Sequence, residues 1–99
     1  MAKVALLVEM KAKPGKEEEL AAFLAGAQPM AVAEPGTLTW FVLRLDAQTF
    51  VLCDTFRDDD ARRAHLKGAI SAALMGRADE LLAGPLGVRK ADVLAAKLP

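Results

Sequence analysis

The 99-residue sequence lacks the features that mark several large classes of protein. Its single cysteine, Cys53, excludes an intrachain disulfide. One cysteine and one histidine, His65, give no spacing of ligands for a metal site. A glycine-rich phosphate loop is also missing, so nothing supports a nucleotide cofactor. We therefore expect the protein to work with neither a metal nor a cofactor.

Net charge and long apolar runs are missing as well. The 13 Lys and Arg residues balance the 13 Asp and Glu residues, whereas binding to nucleic acid or to an anionic membrane needs a basic surface. The apolar run at residues 4–8 ends at Glu9 and is too short for a secretory signal, and no stretch approaches the ~20 apolar residues of a membrane span. We expect a cytoplasmic protein that binds neither nucleic acid nor membranes.

Apolar residues are abundant, at 54% of the chain, against a usual share of about 45–50%. The length suits one domain over residues 1–99, and a domain of this size has a modest core. A surplus of apolar residues over a small core indicates burial against a partner subunit.

The hydrophobic periodicity predicts an order of strand, helix, strand, strand, helix, strand. Pro29 should kink or end the first helix, and Asp58 should cap the second, which Gly68 bends and Gly76 could break. This order is the split βαβ pattern, so we predict an α+β, ferredoxin-like antiparallel sheet with its helices on one face. The predicted segments are residues 3–11, 17–33, 37–45, 49–56, 58–82 and 87–96.

Both faces of the predicted hairpin are apolar. Trp40 and Val42 lie on one face of the second strand, and Phe41 and Leu43 lie on the other. The helices can cover only one face of the sheet, and an exposed apolar face marks an association surface. We therefore predict a homodimer that forms through the sheet face away from the helices.

Six short segments stand out by their order and spacing along the chain. They are Lys13-Pro14-Gly15-Lys16-Glu17, Glu34-Pro35-Gly36-Thr37-Leu38, Thr49-Phe50, Ala64-His65-Leu66, Leu81-Leu82-Ala83-Gly84-Pro85 and Asp92-Val93-Leu94. Together they resemble the antibiotic biosynthesis monooxygenase family almost from end to end. The resemblance implies a dimeric α+β barrel. Some members of the family oxidise quinols or aromatic polyketides without a cofactor, and others degrade haem.

His65 is the first candidate for catalysis, because histidine is the natural proton acceptor near neutral pH. Its helical neighbours Ala61, Ala64 and Gly68 are small and leave room for a ligand. The alternative is a structural histidine packed between helix and sheet.

Asp54 is the second candidate. If the hairpin turns symmetrically about Ala47, Trp40 lies opposite Asp54, on the same face as Leu52 and Phe56. A carboxylate in an apolar row needs a partner, so Asp54 could orient a histidine or carry a raised pKa. The alternative is an ion pair with Arg44 or Arg89, or a solvated strand end. Trp40, Leu52 and Phe56 are the predicted substrate-binding residues, with core packing as the alternative for Trp40.

Two functions remain open. In one, the protein is a cofactor-independent monooxygenase of a small aromatic substrate, with His65 as base, Asp54 as orienting acceptor and dioxygen as co-substrate. In the other, it is a dimer that binds a small ligand without turnover. The resemblance disfavours haem degradation, because the haem-degrading members carry an axial histidine late in the second helical region, where residues 70–75 have none.

Overall fold

The computed structural model describes residues 2–99, so Met1 of the predicted domain lies outside the described residues. Within residues 2–99 the chain forms four strands and four helices, and each predicted helical region is divided into two helices. The elements are β1 (Val4–Lys11), α1 (Glu17–Gly26), α2 (Gln28–Val32), β2 (Thr37–Arg44), β3 (Thr49–Phe56), α3 (Asp59–Leu66), α4 (Ala69–Leu81) and β4 (Gly87–Asp92).

The strands form one antiparallel sheet in the order β2-β3-β1-β4. The first and third strands are therefore central, as in the ferredoxin-like arrangement. The predicted α+β fold is confirmed.

The hairpin of β2 and β3 has the register that its symmetry predicts. Trp40 pairs with Asp54, and a bulge interrupts the register between Thr37 and Thr39. The side chain of Asp46 accepts backbone N–H bonds from Gln48 at 2.9 Å and from Thr49 at 2.8 Å. An aspartate turn of this kind fixes the loop, and with it the strand register.

The core lies between the helices and one face of the sheet. Its centre is the row of alternate β3 residues that face the helices, including Phe50 and Phe56, which are almost completely buried. The opposite side, which we call the open sheet face, includes Leu7, Phe41 and Leu43, whose exposed fractions are 37%, 56% and 44%. The apolar pattern predicted for this side of the sheet is therefore present.

The helix boundaries follow local chemistry, with one difference from the prediction. Pro29 lies in the first turn of α2, where its missing N–H costs nothing. Asp58 caps α3 by accepting the N–H of Ala61 at 2.8 Å, as predicted. Gly76 does not break α4, which continues through it to Leu81.

Candidate functional site

A pocket of about 590 Å³ opens where the turn between α2 and β2 packs against α3 and the start of α4. Its wall is mainly small and apolar, and we call it the α2–α3 pocket. The polar atoms that reach it come from Glu34 and His65, with Arg57, Asp58 and Asp60 at its edge. The remaining lining residues are Met30, Ala33, Pro35, Gly36, Thr37, Ala61, Ala64, Gly68 and Ala69.

Two glycines allow the backbone segments around the pocket to approach closely. A Cβ atom on Gly36 would lie 2.7 Å from the Cβ of Ala61, well inside ordinary van der Waals contact. A Cβ on Gly68 would lie 3.2 Å from Oε2 of Glu34. The glycines therefore let the turn and its glutamate sit directly on the helices.

Glu34, Asp54 and His65 meet at the inner wall of the pocket, and we call them the carboxylate–histidine cluster. Nδ1 of His65 lies 2.7 Å from Oε1 of Glu34, and Nε2 lies 3.0 Å from Oδ2 of Asp54. The Asp54 side chain is fully buried and that of His65 is 4% exposed, whereas that of Glu34 is 21% exposed. Glu34 is therefore the member of the cluster whose side chain is most accessible to a ligand.

The protons of the cluster can be counted from its contacts. Oε1 of Glu34 also accepts the hydroxyl hydrogen of Thr37 at 2.7 Å, so Oε1 acts as an acceptor and Nδ1 of His65 carries a hydrogen. On the other side, Nε2 and Oδ2 would repel each other if both presented lone pairs. His65 and Asp54 therefore share one proton at this contact, which is bonded either to Nε2 or to Oδ2.

The environment raises the pKa of both members of this inner pair. Burial raises the pKa of Asp54, and the nearby Glu34 charge adds to this, although the contact with His65 works in the opposite direction. For His65, burial acts to lower the pKa, but the contacts with Asp54 and Glu34 outweigh it, so the pKa lies above 6.5. The pair therefore holds its shared proton more tightly than the separate groups would.

Two buried polar atoms beside the cluster lack a well-directed hydrogen bond to any of residues 2–99. They are Oδ1 of Asp54 and Nε1 of Trp40, on residues that pair across the hairpin. Oδ2 of Asp54 lies 3.0 Å from Nε2 of His65, close enough for an ion pair, but the angles at this contact are poor for a hydrogen bond. Asp54 is therefore poorly solvated, which accounts for its raised pKa.

The structure brings together the two residues predicted to be catalytic and places the three predicted to bind substrate elsewhere. His65 lies in the wall of the α2–α3 pocket, with Asp54 behind it. Leu52 and Phe56 are buried in the main core, although the Phe56 ring lies 5.2 Å from the His65 ring. Trp40 lines a separate pocket of about 280 Å³. None of these three residues lines the α2–α3 pocket, so a ligand there would not lie against them.

The arginine alternatives for Asp54 can now be compared with the contacts. Arg44 pairs instead with Glu18, at 2.8 Å, and the Asp54 side chain is fully buried rather than solvated. The neighbour of Asp54 is His65, in agreement with the prediction that Asp54 could orient a histidine.

Sequence reasoning missed Glu34. The segment Glu34-Pro35-Gly36 contributes to the family resemblance but has no catalytic signature of its own, and 31 positions separate the glutamate from His65. The bulge near Thr37 and the close approach of Gly36 to Ala61 bring the two side chains together. A useful signal was the polar pair Glu34 and Thr37 beside a glycine in an otherwise apolar stretch.

Two kinds of feature are absent from the described residues. Across residues 2–99, no group of three or more His, Cys, Asp or Glu side chains is arranged to hold a metal ion. No helix in that part of the chain is both long and apolar enough to cross a membrane.

Comparisons with known proteins agree with this architecture. The model of the antibiotic biosynthesis monooxygenase family matches residues 3–77. The solved structure of NE2512 from Nitrosomonas europaea, a protein of unknown function, is 52% identical. It covers 100% of this chain and 96% of its own, with a TM-score of 0.98.

More distant structures show the fold alone. PA3566 from Pseudomonas aeruginosa is 24% identical over 96% of this chain and 97% of its own, with a TM-score of 0.81. A second Nitrosomonas europaea protein, whose description suggests an antibiotic biosynthesis monooxygenase, is 19% identical over 94% of this chain and 91% of its own, with a TM-score of 0.84. No curated protein matches the chain.

Proposed function

Since the chain belongs to the antibiotic biosynthesis monooxygenase family, we propose that it oxidises a small hydroxyaromatic compound, such as a quinol or an aromatic polyketide, with dioxygen. The observation that carries the proposal is the α2–α3 pocket, which combines a small apolar wall with the carboxylate–histidine cluster. A narrow apolar wall fits a flat ring, and the cluster supplies a proton acceptor where the ring's hydroxyl group would lie.

The reaction needs no external reductant. A substrate written SH2 reacts with O2 to give SO and H2O, so both hydrogens of the water come from the substrate. Removal of the hydroxyl proton leaves an electron-rich anion, which can pass an electron to dioxygen without a cofactor. In this scheme the protein positions the ring, excludes water and accepts the proton.

His65 and Asp54 keep the catalytic assignment here as members of one cluster. Neither nitrogen of His65 is free to take a proton directly, because each faces a carboxylate. The two residues therefore act on the substrate through the proton that they share and through the glutamate that they hold. The proposed partners are the aromatic substrate, dioxygen and a second copy of the chain.

Oxygen uptake tests the proposal. With a panel of quinols and dihydroxyaromatics, we expect saturable consumption of one O2 per substrate, well above the spontaneous rate. Ala64→Leu should reduce this rate strongly, because the larger side chain occupies part of the α2–α3 pocket. Ala72→Leu, the same change on the exposed surface of α4, is the matched control.

Two outcomes would contradict the proposal. One is uptake no faster than without protein for every compound in the panel. The other is uptake that is equally fast in wild type and in Ala64→Leu, because the reaction would then take place outside this pocket. Saturable binding without oxygen uptake would favour the alternative of a ligand-binding protein without turnover.

A further inference from the structure

The free oxygen of Glu34 is the polar atom of the cluster best placed to meet a ligand. Both of the glutamate's polar contacts, with His65 and Thr37, fall on Oε1. Oε2 makes neither contact and lies close to Gly68, where a Cβ would be only 3.2 Å from it. The glutamate is therefore fixed through Oε1, and it lines the pocket, so Oε2 is the oxygen that remains for a ligand.

His65 and Asp54 are badly placed for direct contact with a substrate. Each ring nitrogen of His65 already faces a carboxylate oxygen. Asp54 is fully buried behind the imidazole and does not line the pocket. A base that removes a proton must come within hydrogen-bond distance of it, and of the three residues Glu34 best meets that condition.

The edge of the pocket indicates the charge of the ligand. Arg57 is the cation there, and its guanidinium lies 3.8 Å from the carboxylate of Asp58. Asp60 and Glu34 add two further acidic groups. A ligand that carries its own carboxylate or phosphate would meet net negative charge, whereas a neutral hydroxyl group can donate to Glu34.

From this geometry we propose that Oε2 of Glu34 is the catalytic proton acceptor, and that the pocket selects neutral hydroxyaromatics whose hydroxyl group is acidified by conjugation. The proposal rests on the function proposed above and names the acceptor atom and the ligand class. His65 and Asp54 become positioning residues, which hold Oε1 of Glu34 through Nδ1–H.

The proton transfer is balanced. The O–H bond of the ligand breaks, its electron pair stays on the ring oxygen, and a new O–H bond forms at Oε2. No electron leaves the ligand in this step. A carboxylic acid is a stronger acid than a simple phenol, so the transfer is least unfavourable for a hydroxyl conjugated to a carbonyl or nitro group, which is more acidic than that of a phenol.

The test uses 4-nitrophenol as a probe, because its anion absorbs at longer wavelength than its neutral form. The protein is saturated with the probe, and the pH is raised through the probe's own ionisation. In wild type we expect the anion band of the bound probe to appear at higher pH than that of the free probe, because the hydroxyl donates to a carboxylate and the phenolate would face its negative charge. In Glu34→Gln we expect the probe to bind with a clearly smaller rise in the pH of its ionisation. Glu80→Gln, which removes an exposed carboxylate of α4, should behave like wild type.

A carboxylated probe tests the ligand class. We expect 5-hydroxy-2-nitrobenzoate, which adds a carboxylate to the same nitrophenol, to bind at least tenfold more weakly than 4-nitrophenol. Equal or tighter binding would overturn the proposed selectivity. Failure of 4-nitrophenol to bind at all would overturn the assignment of this ligand class to the pocket.

A second variant guards against loss of folding in Glu34→Gln. Glu34→Asp keeps the negative charge beside His65 but withdraws the carboxylate by one methylene, so we expect a folded protein with a smaller rise in the pH at which the bound probe ionises. The groups that face Glu34 are His65 and Asp54 from the inner side, with Arg57, Asp58 and Asp60 at the edge, where Asp60 lies 3.6 Å from Arg63. An undiminished rise in both Glu34 variants would overturn the proposal.

The two proposals can fail separately. If oxygen uptake is found, Glu34→Gln should lower turnover by about a hundredfold or more, the usual share of general base catalysis. A full rate in that variant would remove Glu34 from the mechanism and leave the monooxygenase assignment standing. A probe whose ionisation depends on Glu34, in a protein that never consumes oxygen, would remove the monooxygenase and leave the binding site.

Discussion

The imidazole of His65 lies between two carboxylates, and only one of them, Glu34, is open to solvent. The buried partner makes the histidine important for folding as well as for chemistry. Removing one member of a buried polar pair leaves the other uncompensated, whereas removing both can be nearly neutral. Stability measurements on Asp54 and His65 can therefore identify the coupling between them.

We predict that His65→Ala lowers the free energy of unfolding by about 2–3 kcal/mol, because it leaves Asp54 buried and unpaired. The double variant His65→Ala with Asp54→Val should be no less stable than His65→Ala alone. Denaturant unfolding of the four proteins in this cycle provides the measurement. If the costs of the two single changes simply add, the residues do not interact.

The pKa shifts of Asp54 and His65 also predict how the stability of the protein depends on pH. The pKa of His65 and that of Asp54 are raised on folding, so the folded state binds protons more tightly than the unfolded chain. The contribution of His65 is therefore fully present below 6.5, its ordinary value, and is lost as pH rises through the raised pKa. The contribution of Asp54 is likewise present below 3.8 and is lost as pH rises through its own raised pKa.

We therefore predict that wild type loses stability with rising pH, relative to a variant with Asp54→Asn and His65→Gln. The comparison is of melting temperatures across the acidic and neutral range. Surface carboxylates with lowered pKa values, such as Asp59 and Glu18, occur in both proteins and cancel in the difference. A constant difference at every pH would mean that the pair does not titrate between the folded and unfolded states.

Among the elements, α3 is attached to the sheet by Arg62, which is 8% exposed. Its guanidinium donates to the backbone carbonyls of Ala5 on β1 and Ala91 on β4, at 3.0 and 3.2 Å, and to Asp59 at 2.9 Å. One side chain thus holds a helix against two strands that are adjacent in the sheet. The planar guanidinium reaches all three acceptors at once.

We expect Arg62→Leu to lower the free energy of unfolding by about 1–3 kcal/mol, because buried carbonyl groups lose a charged donor. Arg63→Leu is the matched control on the next residue, since Arg63 is exposed and pairs only with surface carboxylates. Its melting temperature should stay close to that of wild type. Equal losses in the two variants would show that the carbonyl contacts of Arg62 are not important.

The elements also show which features of the fold could be predicted from the sequence. The register of the β2–β3 hairpin was predictable, because a short turn with apolar alternation on both strands fixes it, and this placed Trp40 opposite Asp54. The last strand was predicted to reach residue 96 but ends at Asp92, which pairs with Val4 at the start of β1. The end of β4 is set by the start of β1, its neighbour in the sheet, and the sequence of β4 alone carries no information about that position.

The candidate site was predictable only in part, for the same reason. Asp54 was conspicuous as a carboxylate in an apolar row. Glu34 lies in a turn of ordinary composition and approaches His65 only after the helices have packed. Contacts between distant segments are set by such packing, so local patterns identified the inner pair and missed the residue at the pocket.

At the scale of the whole molecule, the open sheet face remains without a cover. Phe41 and Leu43 on β2 and Leu7 on β1 are exposed there, and Cys53 lies half-buried between Phe41 and Leu7 in the register. A stable interface needs about 800 Å² from each partner, and one face of a four-stranded sheet can supply an area of that order. We propose that two copies of the chain cover this face for each other.

We predict that sedimentation at micromolar concentration gives about twice the 10.5 kDa chain mass. Phe41→Asp should give a monomer, whereas Met75→Asp, on the exposed side of α4, should not. Cys53 lies on the open sheet face, so in the dimer its thiol would be covered, and its alkylation should be slow there and faster in Phe41→Asp. A monomeric wild type would contradict the proposed dimer.

The close approach of Gly36 to Ala61 has a consequence for how this protein can change over evolutionary time. The two positions share space for a single methyl group, so neither is free to vary alone. An alanine at position 36 is tolerable mainly with a glycine at position 61, and that exchange costs α3 about 1 kcal/mol of helix propensity. Lineages that keep this pocket should therefore show paired changes at the two positions, or none at all.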